Sequence, residues 1–248
     1  MTVLILGGTA EARELARHLS RQSTPVVSSL AGRVARPALP DGDVRIGGFG
    51  GPDGLVAFLE ARGITAMVDA THPFAAQMSR NAAVAASRSS IPLLRLARPG
   101  WQHHPRSSRW SWVPDLHAAR ATAEAAARPF LTTGRQSLPT FAAWQDRSVM
   151  VRVVDRPDHP LPARWRVILS RGPYAYHDER RLMRDHQVDA VITKDSGGQY
   201  TVAKLEAATD LGIPVVVVLR PPPEPGVREA ATVAEALGWL QATESAQA

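Results

Sequence analysis

The sequence contains no cysteine. That excludes disulfides, thiolate zinc sites, iron–sulfur clusters and a cysteine nucleophile, and it fits a reducing compartment. Lysine is almost absent as well: Lys194 and Lys204 stand alone, so arginine carries nearly all the positive charge. No apolar run, such as residues 213–219, approaches the length of a membrane span. The apolar opening, residues 1–6, lacks the basic start of a signal peptide and is cut by Gly7-Gly8, so it is expected to be a strand. No G-x-S-x-G elbow is present, which removes the usual serine-hydrolase signature. His103 and His104 are adjacent and have no H-x-x-x-H or carboxylate ladder beside them, so no metal site is expected. A cytoplasmic protein without a membrane partner is the expectation.

What is present is a hydrophobic content of 44% in 248 residues, enough for one large or two medium domains. Twenty-nine basic residues against 23 acidic ones leave a net charge of +6. A bias to arginine accompanies a GC-rich genome. The functional alternative is a site for a polyanion: a nucleotide phosphate, a polycarboxylate or nucleic acid. The basic residues are scattered and not interleaved with aromatics, which argues against nucleic acid.

Short β-branched runs alternate with alanine-rich segments of helical period, the pattern of βαβ units around a parallel sheet. Strands are expected at residues 3–6, 25–29, 44–47, 66–70 and 93–96, with helices at 11–21, 55–62 and 75–87. Residues 99–114 break the pattern with Trp101, Trp110 and Trp112 and read as a crossover. A second series follows, with strands at 130–133, 149–154, 167–170, 190–193 and 215–219. Its helices are expected at 116–127, 138–144, 176–185, 204–211 and 232–242. The predicted fold is α/β: two Rossmann-like lobes, residues 1–98 and 99–248, each a mostly parallel sheet of four or five strands flanked by helices. The active site is expected in the cleft between the lobes.

Ligands of such sheets bind at the carboxyl ends of the strands. The first strand ends in Gly7-Gly8-Thr9-Ala10-Glu11-Ala12. This departs from G-x-G-x-x-G, yet two glycines permit a tight turn, Thr9 can cap the next helix, and a helix N-terminus attracts phosphate. The second strand ends in Ser28-Ser29-Leu30-Ala31-Gly32-Arg33. The acidic residue that grips a ribose 2′-OH is missing there, and Arg33, with Arg36 nearby, suits a 2′-phosphate, so NADP is expected over NAD. The fourth ends in Asp69-Ala70-Thr71-His72-Pro73-Phe74. Thr71 is expected to cap the following helix, Asp69 to position, and His72 to donate a proton or bind a ligand.

In the second series, Thr132-Thr133-Gly134-Arg135, Ser170-Arg171-Gly172-Pro173-Tyr174 and Thr193-Lys194-Asp195-Ser196-Gly197-Gly198 each follow a strand. Each joins a basic side chain to small or hydroxyl residues. Arg135, Arg171 and Lys194 together suit a carboxylate-bearing substrate.

These segments, with Lys204-Leu205-Glu206-Ala207-Ala208 and Val217-Val218-Leu219-Arg220-Pro221, resemble the precorrin-6A reductase family of cobalamin (corrin) biosynthesis, from residue 3 to about residue 221. The resemblance implies an NADPH-dependent reduction of one double bond in a polycarboxylate tetrapyrrole. It implies a cofactor set of Gly7, Gly8, Thr9, Ala10, Glu11, Arg13, Ser29, Leu30, Ala31, Gly32, Arg33, Thr71, His72 and Pro73. The implied substrate set is Thr133, Gly134, Arg135, Ser170, Arg171, Gly172, Lys194, Asp195, Ser196, Gly197 and Gly198. Lys194, His72 and Tyr174 are the candidate proton donors. A monomer is expected, with transient handover to neighbouring pathway enzymes. A non-catalytic NADP(H) sensor is the main alternative, and a transferase using S-adenosylmethionine is a third reading.

Overall fold

The computed structural model describes residues 1–32 and 39–247. It divides into two compact units. One comprises Met1–Arg98 with Pro221–Ala248, and the other is Pro99–Arg220.

The first unit is a six-stranded, all-parallel sheet. Its strands are β1 (Val3–Leu6), β2 (Val26–Leu30), β3 (Asp43–Ile46), β4 (Ala66–Asp69), β5 (Leu93–Leu96) and β12 (Arg228–Ala230). They lie in the order β12-β5-β4-β1-β2-β3. Successive side chains of a strand point to opposite faces, and β1 uses both. Val3 and Ile5 join Leu15, Ala16 and Leu19 of helix α1 (Ala10–Arg21), and Ala236 and Leu240 of helix α7 (Val233–Gln247). Leu4 and Leu6 join Leu55 and Leu59 of α2 (Pro52–Ala61) and Ala82 and Ala85 of α3 (Ala76–Arg88). The i, i+3, i+4, i+7 spacing of Ala12, Leu15, Ala16 and Leu19 gives α1 one buried face. Burial on both faces explains why these strands read as continuous apolar runs.

The second unit repeats the plan. Its strands are β6 (Ser111–Val113), β7 (Pro129–Thr132), β8 (Met150–Val153), β9 (Arg166–Leu169), β10 (Ala190–Lys194) and β11 (Val215–Val218). The order is β6-β11-β10-β7-β8-β9, again parallel throughout. Helices α4 (Leu116–Thr122), α5 (Tyr176–Asp185) and α6 (Ala203–Asp210) accompany it. Phe130, Val191, Val215 and Val217 form a core with Leu205, Ala208, Trp101 and Trp110.

Both sheets thus follow the 3-2-1-4-5-6 order of dinucleotide-binding domains, and each has six strands where four or five were expected. Only the sixth place is filled differently. Each unit recruits an edge strand, β12 from residues 228–230 or β6 from within residues 99–114, which were expected to be a crossover without a strand. The expected lobe of residues 99–248 is corrected accordingly. β12 pairs with β5, and α7 packs on α1 beside β1, so the closing segment belongs to the first unit. Four prolines among residues 221–225 carry the chain away from β11. The expected helix at 138–144 is a 3-10 helix over Arg135–Trp144 with Pro139 inside it. The helix expected at 116–127 stops at Thr122.

Candidate active site

In the first unit, β1 is flanked by β4 and β2, so the loops after these three strands meet at one end of the sheet. The strand order reverses between β1 and β4, the position at which such sheets bind ligands. The Gly7 amide donates to the Ser29 carbonyl at 2.9 Å, and the Ala70 amide donates to the Leu6 carbonyl at 2.9 Å. Thr9 caps α1 as expected: its Oγ1 accepts from the Ala12 amide at 3.1 Å and donates to the Ala70 carbonyl at 2.8 Å. One hydroxyl therefore ties the first turn of α1 to the loop after β4. Gly8 adopts a left-handed φ of 117°, which favours glycine, and a Cβ there would meet nothing within 4 Å. A Cβ on Gly7 would rest 3.5 Å from the Ala12 Cβ, so Ala12 serves as the small residue that lets strand and helix close up. Ala12 is taken by the cap, which leaves the amides of Ala10 and Glu11 outside the intrahelical ladder.

Glu11 would oppose an anion here, but its carboxylate is paired with Arg98 at 2.8 Å. Arg13 lies one residue beyond the Ala12 cap contact on the same helix. Ser29 and Leu30 end β2, and Ala31 and Gly32 follow it. Gly32 is left-handed, at φ 71°. Arg33 and Arg36 lie outside the described residues.

Thr71 does not cap α3, whose N-cap is Ala75 without a side-chain bond. Its hydroxyl and amide both donate to Asp69 Oδ1, at 2.7 and 3.0 Å. That oxygen also meets Arg95 Nη1 at 2.6 Å, while Ser79 Oγ donates to Oδ2 at 2.6 Å. Arg95 further donates to Thr71 Oγ1 and to the Thr71 carbonyl, at 2.9 and 3.1 Å. Thr71 was drawn into this buried cluster because a carboxylate at the strand end outcompetes a helix turn for its hydroxyl. The cluster fixes the loop that carries His72 and Pro73. His72 is exposed, and its Nδ1 accepts from the Phe74 amide at 3.2 Å, so in the neutral ring the proton sits on Nε2.

In the second unit the equivalent reversal lies between β7 and β10. Thr133, Gly134 and Arg135 follow β7, and the segment from Lys194 to Gly198 ends and follows β10. Among the described residues, Thr133 Oγ1 is buried without a hydrogen-bond partner. Burial holds the Lys194 ammonium below the usual lysine range. Ser170, Arg171 and Gly172 follow β9, two strands away from β7, yet their loop folds back. The Tyr174 amide donates to the Tyr200 carbonyl at 3.2 Å, and a Cβ on Gly172 would lie 3.4 Å from that oxygen. The 170–174 loop is thereby brought beside the end of the 194–201 segment. Arg171 is exposed, and Arg135 pairs with Asp158 at 3.2 Å. Tyr174 donates to the Ser170 carbonyl at 3.2 Å, and burial pushes its phenol up, the wrong direction for an acid. Ser196 Oγ lies 3.2 Å from Thr201 Oγ1. Asp195 is buried and turned onto protein groups.

Residues 2–241 match the family described as Precorrin-6x reductase CbiJ/CobK. The chain belongs to this family. It is 50% identical over 240 residues to the precorrin-6A reductase of Rhodococcus erythropolis, covering 96% of each chain. It is 49% identical over 240 residues to the precorrin-6A reductase of Mycobacterium tuberculosis, again covering 96% of each. The solved structure of CobK precorrin-6A reductase superposes with a TM-score of 0.91 at 41% identity, over 98% of this chain and 97% of that one. The family's chemistry is reduction, so the chain is an oxidoreductase.

Two buried arginines were missed by sequence reasoning. Arg95 interrupts the apolar run of β5, and Arg152 interrupts that of β8, where it pairs with Glu179 through both terminal nitrogens at 2.7 and 2.9 Å. Arg152 also lies over the rings of Phe130 and Tyr174, 4.8 and 4.2 Å from their centroids. An arginine inside an otherwise apolar strand is the signal that would have found both, because such a charge needs a buried partner. Among the described residues, no cluster suits a metal ion and no helix is long and apolar enough to cross a membrane.

Proposed function

We propose that this protein reduces one carbon–carbon double bond of precorrin-6A with NADPH, giving precorrin-6B for cobalamin synthesis in the cytoplasm. The observation that carries the cofactor half is the first-unit turn: a left-handed Gly8 and a capped α1 whose first amides, at Ala10 and Glu11, precede its intrahelical ladder. This fits a pyrophosphate, since a helix N-terminus offers N–H groups and a favourable dipole. Arg98 neutralises Glu11, the one acid in that first turn. Arg33 is the group proposed to meet the 2′-phosphate.

When bound, the cofactor would provide the hydride for one carbon of the conjugated ring, and a proton would have to reach the neighbouring carbon. The chain's own work is to hold the two partners in register and to deliver that proton. Of the three donor candidates, Lys194 is favoured, because burial moves its ammonium toward neutrality and makes it a better acid. His72 can donate through Nε2. Tyr174 is the weakest, being shifted upward and already donating to Ser170. Arg135, Arg171 and Thr133 are proposed to take the substrate's carboxylates. Thr133 Oγ1 is a buried hydroxyl with no partner among the described residues, as a ligand-binding group would be.

Purified protein with NADPH and precorrin-6A should oxidise one NADPH per tetrapyrrole and add two hydrogens to its mass. An unchanged mass would sink the reading. Arg33→Ala should weaken NADPH binding about tenfold or more while barely changing NADH, given one lost charge-assisted contact; equal losses would remove Arg33 from the 2′-phosphate.

A further inference from the structure

The chain passes between the units twice, at Arg98–Pro99 and at Arg220–Pro221. Both passages are fastened to one loop of the second unit, the segment after β10. Asp195 Oδ1 accepts from the Trp101 amide at 3.0 Å, and Oδ2 lies 3.3 Å from Arg220 Nε. That same Nε donates to the Asp195 carbonyl at 2.9 Å. The Gly198 carbonyl accepts from the Trp101 indole at 2.9 Å, and the Gly198 amide donates to the Pro99 carbonyl at 3.3 Å. Lys204, on the helix that follows, lies over the Trp101 ring at 4.9 Å.

The approach is too close for side chains. A Cβ on Gly197 would fall 2.0 Å from Arg220 Nη2 and 2.3 Å from the Pro99 carbonyl, and one on Gly100 would fall 2.5 Å from Asp195 Oδ2. Glycine is therefore required at 197, where the clash is with backbone, whereas a side chain at 100 would push the Asp195 carboxylate aside. Asp195 is only 2% exposed and both its oxygens are engaged.

We infer that Asp195 is a positioning residue, whose carboxylate clamps the outgoing and returning chain to the loop bearing Lys194 and Ser196. In this role its carboxylate is spent on the protein and not on substrate, the contact that the resemblance to precorrin-6A reductases implies for it. Its influence on substrate runs through the placement of its neighbours, so this inference rests on the proposed function for its catalytic consequence. The clamp itself does not.

The test is a double-mutant cycle of Asp195→Asn and Arg220→Gln, with Gly100→Ala as a third variant that displaces the carboxylate and keeps its charge. Hydrogen exchange at the Trp101 amide and thermal unfolding are read without ligand. Substrate KM, kcat and NADPH Kd are read with it. Each variant should speed Trp101 exchange. The two single changes should be non-additive, because contacting partners share one interaction. All three variants should raise the KM for precorrin-6A by a similar factor, about tenfold for a lost charged contact, with kcat and NADPH Kd within about twofold. Additive effects, or unchanged Trp101 exchange, would overturn the clamp. A raised KM in Asp195→Asn but not in Arg220→Gln or Gly100→Ala would mean that Asp195 touches substrate directly. If the unmodified protein leaves precorrin-6A untouched, the proposed function fails, while the exchange and unfolding cycle still decides the clamp.

Discussion

After β1 the first unit places a 12-residue α-helix capped by Thr9, whereas after β7 the second places a 3-10 helix interrupted by Pro139. The two sheets otherwise share one strand order. An α-helix gathers unpaired amides and a dipole at its N-terminus, which suits phosphate. A 3-10 turn containing an imino acid lines up its amides less well. In the second unit Arg135 and Arg171 follow strands and Lys194 ends one. Under the proposed function, one scaffold would meet two kinds of anion, by backbone in one unit and by cationic side chains in the other.

The largest effect that would sharpen this contrast concerns Lys194. Lys194→Met should lower kcat by about 10²- to 10⁴-fold, the usual range for a lost general acid, and leave NADPH Kd unchanged. The sign of the pH dependence follows from the shift. With the protonated amine as the proposed donor, kcat should fall as pH rises through a Lys194 pKa lying below the ordinary lysine value, and the variant should lose that limb. An unaltered pH profile would move the proton to His72.

Next comes the buried charge in each unit. Glu179→Ala strands Arg152, whose terminal nitrogens both bond Glu179, and should destabilise by about 3–5 kcal/mol in denaturant unfolding. Asp69→Ala should cost less, because Arg95 keeps the hydroxyl and carbonyl of Thr71. The reverse ranking would refute this account of the two networks.

The glycine pair gives a smaller, more specific test. Gly8 and Gly134 both hold left-handed backbone, at φ 117° and 84°. Valine at either position carries about 1–3 kcal/mol of strain. Gly8→Val should weaken NADPH binding about 10- to 100-fold by that measure, and Gly134→Val should spare it and raise substrate KM. Equal losses of NADPH affinity would erase the division of labour.

The smallest effect is on stability in acid. The Tyr176 hydroxyl and Arg106 hold the exposed Asp210 carboxylate below its ordinary value. A depressed pKa stabilises the fold above the unfolded value, about 3.9, and that contribution is lost as pH falls through the folded one. The melting temperature of Asp210→Asn should therefore lie slightly below the parent's at neutral pH and converge with it in acid.

Much of this was legible in the sequence, for physical reasons. The strands buried on both faces announce themselves as apolar runs, and Gly7-Gly8-Thr9 marks a strand-to-helix turn whose cap forms as expected. The edge strands did not announce themselves. β6 is Ser-Trp-Val and β12 is Arg-Glu-Ala, each only three residues long, and β12 has two exposed positions among its three. Nor does an order of elements along the chain say which sheet will accept the last strand. At the site, the cationic loops were visible because charge stands out at a strand end. The partners of Arg152 and Asp195 were not, since those contacts join residues 25 or more apart in sequence, and Thr71 was read as a helix cap and not as a partner of Asp69.

The placement of β12 also bears on how the protein is made. Ribosomes deliver the chain from its N-terminus, and domains tend to fold as units while they emerge. The second unit is one uninterrupted stretch and has every strand of its sheet once Val218 has been synthesised. The first unit emerges earlier but must leave the edge of β5 open until Arg228–Ala230 arrives. The part of the protein translated first is therefore completed last, and its exposed β5 edge is the nascent chain's point of exposure to mispairing.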